Sequence, residues 1–122
     1  MNQNNVAIAQ TFYTAFGAKD VETMEKYLHP DVQLITPLSQ LQGKEAYLEA
    51  VKNFAPFFKA LTIRATFGEG DQAVVVYDLE CSEPIGKVPG VALMTLSEGL
   101  ITGNELIHDT SPWSKVMDQL SA

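Results

Sequence analysis

The chain has 122 residues, of which 46% are hydrophobic and 19% charged, and this balance predicts one globular domain over residues 1–122. Its formal net charge of −7 argues against a nucleic-acid or membrane partner, because both bind clustered Lys and Arg side chains. The single cysteine Cys81 excludes an internal disulfide, no apolar run reaches the roughly eighteen residues of a membrane span, and no secretory leader opens the sequence, which together predict a cytoplasmic protein.

Two helices are predicted in the first quarter of the chain. Between residues 5 and 18, apolar residues recur at helical spacing and give the segment one inward face. Those residues are Ile8, Phe12, Ala15 and Phe16. Gly17 suits the end of this helix, and the side chain of Asp20 can cap a second helix over residues 21–28. His29-Pro30-Asp31 then breaks the helix, because proline disfavours helical conformation in the residue before it.

The middle of the chain changes from helical to strand periodicity. A strand is predicted over residues 32–36, followed by a loop and by a third helix that begins near Lys44. Pro56 ends or kinks that helix near Ala55. From residue 61 to 67 the apolar residues alternate with polar ones, which predicts a half-buried strand.

The second half of the chain predicts an antiparallel run of strands. Gly68-Glu69-Gly70-Asp71 is a hairpin turn by composition, and a strand follows over residues 73–81. Further strands are predicted over residues 91–96 and 100–109, joined by a tight turn at Ser97-Glu98-Gly99. Helices followed by antiparallel strands indicate an α+β domain with the helices on one side of a curved sheet.

Short motifs follow one another along the chain in an informative order. They are Phe12-Tyr13-Thr14-Ala15-Phe16-Gly17-Ala18-Lys19-Asp20, Leu28-His29-Pro30-Asp31-Val32, Gly43-Lys44-Glu45-Ala46, Glu98-Gly99-Leu100-Ile101 and Asp109. In this order the chain resembles the nuclear transport factor 2-like superfamily, particularly its SnoaL-like branch, over nearly its whole length. The resemblance implies a cone-shaped α+β fold, in which three N-terminal helices pack against a curved, mixed, mostly antiparallel sheet around an apolar pocket. It does not specify an activity, because this fold hosts enzymes and non-enzymes.

The resemblance also shows which catalytic groups of relatives this chain lacks. Alignment with ketosteroid isomerase places Phe12 at the catalytic tyrosine, Thr36 at the general-base aspartate and Leu93 at the proton-donating aspartate. Alignment with the polyketide cyclases places Leu106 at their acid/base aspartate. Both comparisons argue against the chemistry of those relatives.

The last strand carries the remaining candidates for catalysis. Alternation puts Thr102, Asn104, Leu106 and His108 on one face, and the family alignment makes it the pocket face. His108 is the candidate for proton transfer, because imidazole titrates near neutral pH. A histidine near a strand end is also often structural, and this alternative stays open. Asp109 is the second catalytic candidate, since the strand end lies near the pocket mouth, although it could equally cap the following turn.

Further residues are expected to contact a substrate. Asn104 could orient a carbonyl or hydroxyl, and Thr36 and Thr95 could donate hydrogen bonds. Tyr77 is either a core residue or a phenol that orients a ligand, and Trp113 covers either the pocket mouth or a dimer contact. The whole predicted substrate-binding set is Phe12, Phe16, Thr36, Tyr77, Leu93, Thr95, Asn104, Leu106 and Trp113.

Two functions remain open at this stage. The first is an enzyme that acts on a small, mostly apolar molecule by acid/base isomerisation, cyclisation, dehydration or hydrolysis. The second is a non-catalytic ligand-binding or dimerisation domain with a packed pocket. No glycine-rich phosphate loop or metal-ligand motif is present, so no cofactor and no metal are predicted. The resemblance implies a homodimer through the outer sheet face, where Val74 and Val76 stand beside Asp78 and Glu80.

Overall fold

The computed structural model describes residues 2–110, which contain three α-helices and six strands. The helices are α1 (Asn2–Gly17), α2 (Val21–Tyr27) and α3 (Lys44–Phe54), and a 3-10 turn at Ala55–Phe57 follows α3. The strands are β1 (Leu28–Ile35), β2 (Gln40–Gln42), β3 (Phe58–Glu69), β4 (Gln72–Cys81), β5 (Lys87–Ser97) and β6 (Leu100–His108). None of the helices in this part of the chain is long and apolar enough to cross a membrane.

The strands form one sheet with the spatial order β2-β1-β6-β5-β4-β3. β1 and β6 are parallel, and the other neighbouring strands are antiparallel. α1 packs against β3 and β4, and α3 packs against β1. The predicted α+β cone, with three helices on a curved, mixed and mostly antiparallel sheet, is confirmed.

The local signals that delimit the helices are confirmed. The carboxylate of Asp20 accepts hydrogen bonds from the backbone N–H of Thr23 at 3.3 Å and from its hydroxyl at 2.7 Å, so Asp20 caps α2. These bonds hold the pKa of Asp20 below its ordinary value, because they stabilise the carboxylate. α3 begins at Lys44 and ends at Phe54. The chain then continues as a 3-10 turn that contains Pro56, in place of further α-helix.

Parts of the sheet lie in segments predicted as loops. β1 begins at Leu28, directly after α2, and β2 occupies part of the connection between β1 and α3. β5 begins at Lys87, earlier than predicted, and contains both Pro89 and Gly90. Pro89 is exposed whereas Gly90 is buried, so the proline faces outward and the glycine leaves space on the inner face. Pro89 and Gly90 therefore lie within β5, where each suits the packing on its own face, and they do not form a turn.

The last strand departs from simple alternation. Its pairing with β5 shifts by one residue at Thr102, which makes Thr102 the extra residue of a β-bulge. The hydroxyl of Thr102 donates to the backbone oxygen of Thr95 at 3.1 Å. Ile101 and Asn104 are both buried, one on each side of the bulge. The predicted pocket face of β6 therefore loses Thr102 and keeps Asn104 and the alternate residues after it.

The core lies between the helices and the inner face of the sheet. Phe12 of α1 and Met24 of α2 are fully buried in it. Alternate residues of β4 and β5 point toward the same core. They are Ala73, Val75, Tyr77, Leu79 and Cys81 on β4, and Val88, Gly90, Ala92, Met94 and Leu96 on β5. Helices and sheet separate toward one end of this core, where a cavity opens.

Candidate ligand-binding site

A cavity of about 650 Å³ lies between the helices and the inner face of the sheet. Apolar side chains from α1, β1, α3 and the central strands supply most of its wall. The described lining residues include no Asp, Glu, Lys or Arg. Their polar members are Tyr13, Tyr47, Tyr77, Thr36, Ser39, Asn53 and His108. The volume lies within the range of small-molecule sites, about 300–1,000 Å³.

Two buried tyrosines share one asparagine at the wall of this cavity. Tyr13 comes from α1 and Tyr47 from the first turn of α3, where its backbone N–H donates to the carbonyl oxygen of Gly43 at 3.1 Å. Asn104 comes from β6, immediately after the bulge, and is 2% exposed. Its Nδ2 donates to the hydroxyl oxygens of Tyr13 and Tyr47, both at 2.8 Å. We call these three residues the tyrosine–asparagine cluster.

The direction of these hydrogen bonds determines what the phenols can do. The Asn104 amide donates to each hydroxyl oxygen, and the hydroxyls of Tyr13 and Tyr47 also hydrogen-bond to each other, so one phenol proton of the pair is left for another acceptor. Oδ1 of Asn104 is buried and has no hydrogen-bond partner among the described residues. Exchanging the amide oxygen and nitrogen would instead leave the two buried N–H groups of Nδ2 without these acceptors, a larger loss of hydrogen bonding. The cluster therefore presents one phenol donor toward the cavity.

The surroundings of the phenols keep them protonated. Burial raises the pKa of Tyr13 and of Tyr47 well above the ordinary phenol value, and the hydrogen bond from Asn104 opposes this only in part. Burial, with a smaller contribution from nearby Cys81, raises the pKa of Tyr77 to about 12. At neutral pH all three hydroxyls are donors.

Tyr77 extends the aromatic wall beside the cluster. Its ring stacks on Tyr13 with the centroids 5.5 Å apart and the planes at 18°. Phe12 meets Tyr13 and Tyr47 edge-on, at 5.5 and 6.0 Å between centroids. Phe16 continues the row on the other side of Tyr13, with the centroids 5.8 Å apart. These contacts leave the rings little freedom and so fix where their hydroxyl groups point.

His108 lines the cavity at the end of β6. Its Nδ1 lies 3.0 Å from the backbone oxygen of Asp109. A carbonyl oxygen can only accept, so Nδ1 carries the proton in this contact, and the neutral ring then has its lone pair on Nε2. Asp109 is exposed, is not among the described lining residues, and contacts His108 through its backbone oxygen.

The structure brings most of the other predicted site residues to the cavity. Phe12, Phe16, Thr36, Tyr77 and Leu106 line it. The hydroxyl oxygen of Thr36 accepts hydrogen bonds from the backbone N–H groups of the two residues that close its own turn, at 3.1 and 2.9 Å. Thr36 therefore shapes the cavity mouth in addition to lining it.

Of the residues predicted to bind substrate, three do not line the cavity and one lies outside the described residues. Leu93 and Thr95 are on the opposite face of β5, since the buried residues of that strand are the alternate ones. This corrects the prediction that these two residues face a substrate. The predicted inward face of β5 was displaced by one residue, and a shift of one residue along a strand exchanges its two faces. Asn104 stands behind the tyrosines instead of touching the cavity. Trp113 lies outside residues 2–110.

The sequence did not predict that Tyr13 and Tyr47 lie together with Asn104 at the cavity wall. Tyr47 shares the apolar face of α3 with Val51, and this pattern already predicts that its phenol is buried. A buried phenol needs a hydrogen-bonding partner, and Asn104 is the polar residue of the inner face of β6 that is buried. That pairing was the available signal. Among residues 2–110, no three His, Cys, Asp or Glu side chains lie together as a metal ion would need.

Known proteins share this architecture. Residues 9–104 match the family model of the SnoaL-like domain. A structure assigned as a SnoaL-like polyketide cyclase from Jannaschia sp. CCS1 has 22% identity and a TM-score of 0.81, covering 100% of this chain and 94% of that one. A structure assigned as a ketosteroid isomerase from Kribbella flavida DSM 17836 has 18% identity and a TM-score of 0.81, covering 88% of this chain and 79% of that one.

A third similar structure is that of TerC, co-crystallised with polyporic acid. It has 21% identity and a TM-score of 0.80, and the match covers 94% of this chain and 98% of that one. At such identities these likenesses show the fold alone. No functionally curated protein matches the sequence.

Proposed function

We propose that this chain, which belongs to the SnoaL-like domain family, binds a small, neutral, mostly apolar molecule through an oxygen atom of that molecule. The tyrosine–asparagine cluster is the observation that carries the proposal. It places the hydroxyls of Tyr13 and Tyr47, with one O–H of the pair left to donate, at the wall of an apolar cavity of about 650 Å³. A cavity of this size in the described residues speaks against the alternative of a packed pocket.

The lining of the cavity favours an uncharged ligand. A charge moved from water into an apolar site costs several kcal/mol unless an opposite charge meets it. The described lining residues include no carboxylate, ammonium or guanidinium group. The phenols of Tyr13 and Tyr47 can nevertheless donate to a neutral acceptor such as a ketone oxygen. The similar structures assigned as a cyclase and an isomerase, and the polyporic acid complex of TerC, support small organic molecules as the ligand class.

His108 adds a route to catalysis in the same cavity. With its proton on Nδ1, the ring has a base at Nε2 that could remove a proton from the carbon beside a bound carbonyl. The C–H electron pair would then form a C=C bond as the π pair of the carbonyl moves to its oxygen, where Tyr13 or Tyr47 would stabilise the developing charge. Asp109 would hold the ring through its backbone oxygen. A non-catalytic binding protein is the alternative, and one ketone probe distinguishes the two.

We expect the protein to bind 1-tetralone about fivefold more tightly than tetralin, which has the same rings without the oxygen. The difference is the value of one hydrogen bond from a phenol of the cluster. Either Tyr13→Phe or Tyr47→Phe removes the preference, and Tyr27→Phe, outside the described lining, keeps it. Titrations followed by amide chemical shifts give the affinities, and equal affinities of the wild-type protein for the two probes would contradict the proposal.

The same complex in heavy water reports on catalysis. If His108 is the base, the protein accelerates exchange of the protons next to the carbonyl for deuterium, and His108→Gln slows this exchange by about a hundredfold without weakening binding. Tight binding without acceleration would leave the binding function and remove the enzymatic one.

We also propose that two copies of the chain pair through the outer face of the sheet. Phe67 is 61% exposed and Ile107 52% exposed on that face, a large apolar exposure for a monomer. Val74, Val76, Val91 and Leu93 lie between them on the paired strands. Toward one side, Asp78 is within 3.6 Å of Arg64 and 3.8 Å of Lys87, which gives the apolar area a polar rim.

Ile107→Glu is expected to weaken this dimer at least about tenfold, because a symmetric interface buries the new carboxylate twice. Sedimentation velocity at micromolar concentration measures the change. Leu38→Glu is the matched control, since Leu38 is 41% exposed but lies in the loop at the cavity mouth. A wild-type protein that sediments as a monomer would rule the dimer out.

A further inference from the structure

Three residues form a row across the inner face of the central strands. Gly90 of β5 pairs with Tyr77 of β4 on one side and with His108 of β6 on the other. Residues directly opposite each other on paired strands point to the same face. Tyr77 and His108 both line the cavity, and Gly90 lies between them.

The missing side chain of Gly90 makes room for Tyr77. A Cβ atom at Gly90 would lie 2.7 Å from both Cζ and the hydroxyl oxygen of Tyr77, closer than real Cβ contacts. The hydroxyl end of the ring therefore lies across β5 against the Gly90 backbone, in the direction of His108. Gly90 is not among the glycines with positive φ, so its backbone does not demand a glycine. Close packing of Tyr77 is what excludes a side chain there.

The hydroxyl of Tyr77 lacks a partner within the described part of the chain. Tyr77 is 5% exposed, and its hydroxyl makes no hydrogen bond to any residue between 2 and 110. The hydroxyl is not among the fully buried polar atoms of the described residues that lack a partner, so it is open to the cavity that Tyr77 lines. A molecule bound in the cavity can therefore form a hydrogen bond with it.

We infer that Gly90 is a positioning residue, which places the Tyr77 hydroxyl beside His108 as a second polar subsite for the ligand. The ligand in this inference rests on the proposed function, whereas the arrangement of Tyr77, Gly90 and His108 does not depend on that function. The first oxygen of the ligand meets Tyr13 or Tyr47, and a second oxygen meets Tyr77. The ligand class is thereby narrowed to neutral ring compounds with two oxygens, such as hydroxyketones.

The row itself is tested in the ligand-free protein by nuclear Overhauser contacts. We expect ring protons of Tyr77 to contact the α-protons of Gly90, and also the imidazole protons of His108. The chain has two histidines, so His29 provides an internal control that shows no contact with Tyr77. Absence of the contact between Tyr77 and Gly90 would overturn the inference, whatever the protein binds.

The subsite is tested with 5-, 6- and 7-hydroxy-1-tetralone, each compared with 1-tetralone. At least one hydroxylated probe is expected to bind about fivefold more tightly, the value of one hydrogen bond. Tyr77→Phe removes this gain, so that the variant binds the hydroxylated probe no more tightly than it binds 1-tetralone. A gain that survives in Tyr77→Phe, or no gain with any probe, would overturn the subsite. Failure of 1-tetralone itself to bind would instead count against the proposed function.

Gly90→Ala tests the positioning role. The added methyl displaces the Tyr77 ring, so the hydroxyl-dependent gain is lost and the contact between Tyr77 and His108 disappears. Gly103→Ala on the neighbouring strand is the matched control, because its Cβ would meet no atom closer than Thr95 Cβ at 4.0 Å. If Gly90→Ala does not fold, Gly90→Ala combined with Tyr77→Leu restores folding by removing the clashing ring. A Gly90→Ala protein that keeps the gain, or a double variant that stays unfolded, would contradict the role.

Discussion

The Asn104→Leu variant is expected to lose about 2 kcal/mol of unfolding free energy, from two buried hydrogen bonds of about 1 kcal/mol each. Leucine branches at Cγ as asparagine does and is larger, so the substitution opens no cavity and the loss comes from the missing hydrogen bonds. Asn104 donates to Tyr13 and Tyr47, both at 2.8 Å, and no other residue supplies those donors in the described structure. The affinity of this variant for 1-tetralone should fall about fivefold, the value of the hydrogen bond to the carbonyl, because the phenols are no longer held.

Urea unfolding and the tetralone titration measure the two effects of Asn104→Leu. Asn53→Leu is the control, because Asn53 lines the cavity but is exposed. An Asn104→Leu protein with wild-type stability and wild-type affinity would show that the asparagine does not organise the site. A companion variant, Asn104→Asp, reverses the bonding instead of removing it. Its carboxylate accepts both phenol protons, so the preference for 1-tetralone over tetralin should disappear.

The second large effect expected is steep alkaline unfolding. The pKa of Tyr77 is raised to about 12 in the folded protein, and those of Tyr13 and Tyr47 are raised well above the ordinary value of 10.0, all chiefly by burial. Below pH 10 both folded and unfolded chains keep these protons, and the three groups add no pH dependence. Above pH 10 the unfolded chain releases protons that the folded chain retains, so stability falls.

Each tyrosine lowers the unfolding free energy by up to about 1.4 kcal/mol per pH unit, and the three together by about 4 kcal/mol. Urea unfolding at a series of pH values from 9 upward measures this slope, and tyrosinate absorbance should rise together with loss of circular dichroism. Tyr77→Phe should reduce the slope by about one third. Independent ionisation of all four tyrosines near pH 10 in a folded protein would contradict the buried cluster.

The parts of the fold that depend on neighbouring residues could be predicted from the sequence. The cap by Asp20 and the end of α3 before Pro56 each follow from contacts or constraints within a few residues. The inward face of β4 follows from simple alternation, which that strand obeys along its whole length. These elements needed no knowledge of what packs against them.

The missed features depend on contacts between distant segments. The bulge at Thr102 is a property of the pairing of β6 with β5, so alternation along β6 alone could not reveal it. The outward position of Leu93 depends on the register of the same pairing. The contact between Tyr47 and Asn104 joins residues 57 positions apart, and only the closed cone brings them together.

The candidate site also explains how this chain could work without the carboxylates of its relatives. Leu106 and Phe12 both line the cavity, and they are the residues that the resemblance aligns with the acid/base aspartate of the polyketide cyclases and the catalytic tyrosine of ketosteroid isomerase. The cavity has polar groups at other positions instead, namely the phenols of Tyr13, Tyr47 and Tyr77. Protonated phenols donate hydrogen bonds, so a site built on them favours a neutral ligand with an acceptor oxygen. A site built on carboxylates does not impose that requirement on its ligand.

A crystal structure of the protein bound to 1-tetralone tests the central claim most directly. We expect the rings of the probe to fill the apolar cavity, with the carbonyl oxygen within about 3.2 Å of the hydroxyl of Tyr13 or Tyr47. A probe bound in the cavity with its carbonyl turned toward the mouth, away from both phenols, would contradict the account, as would a probe bound only outside it.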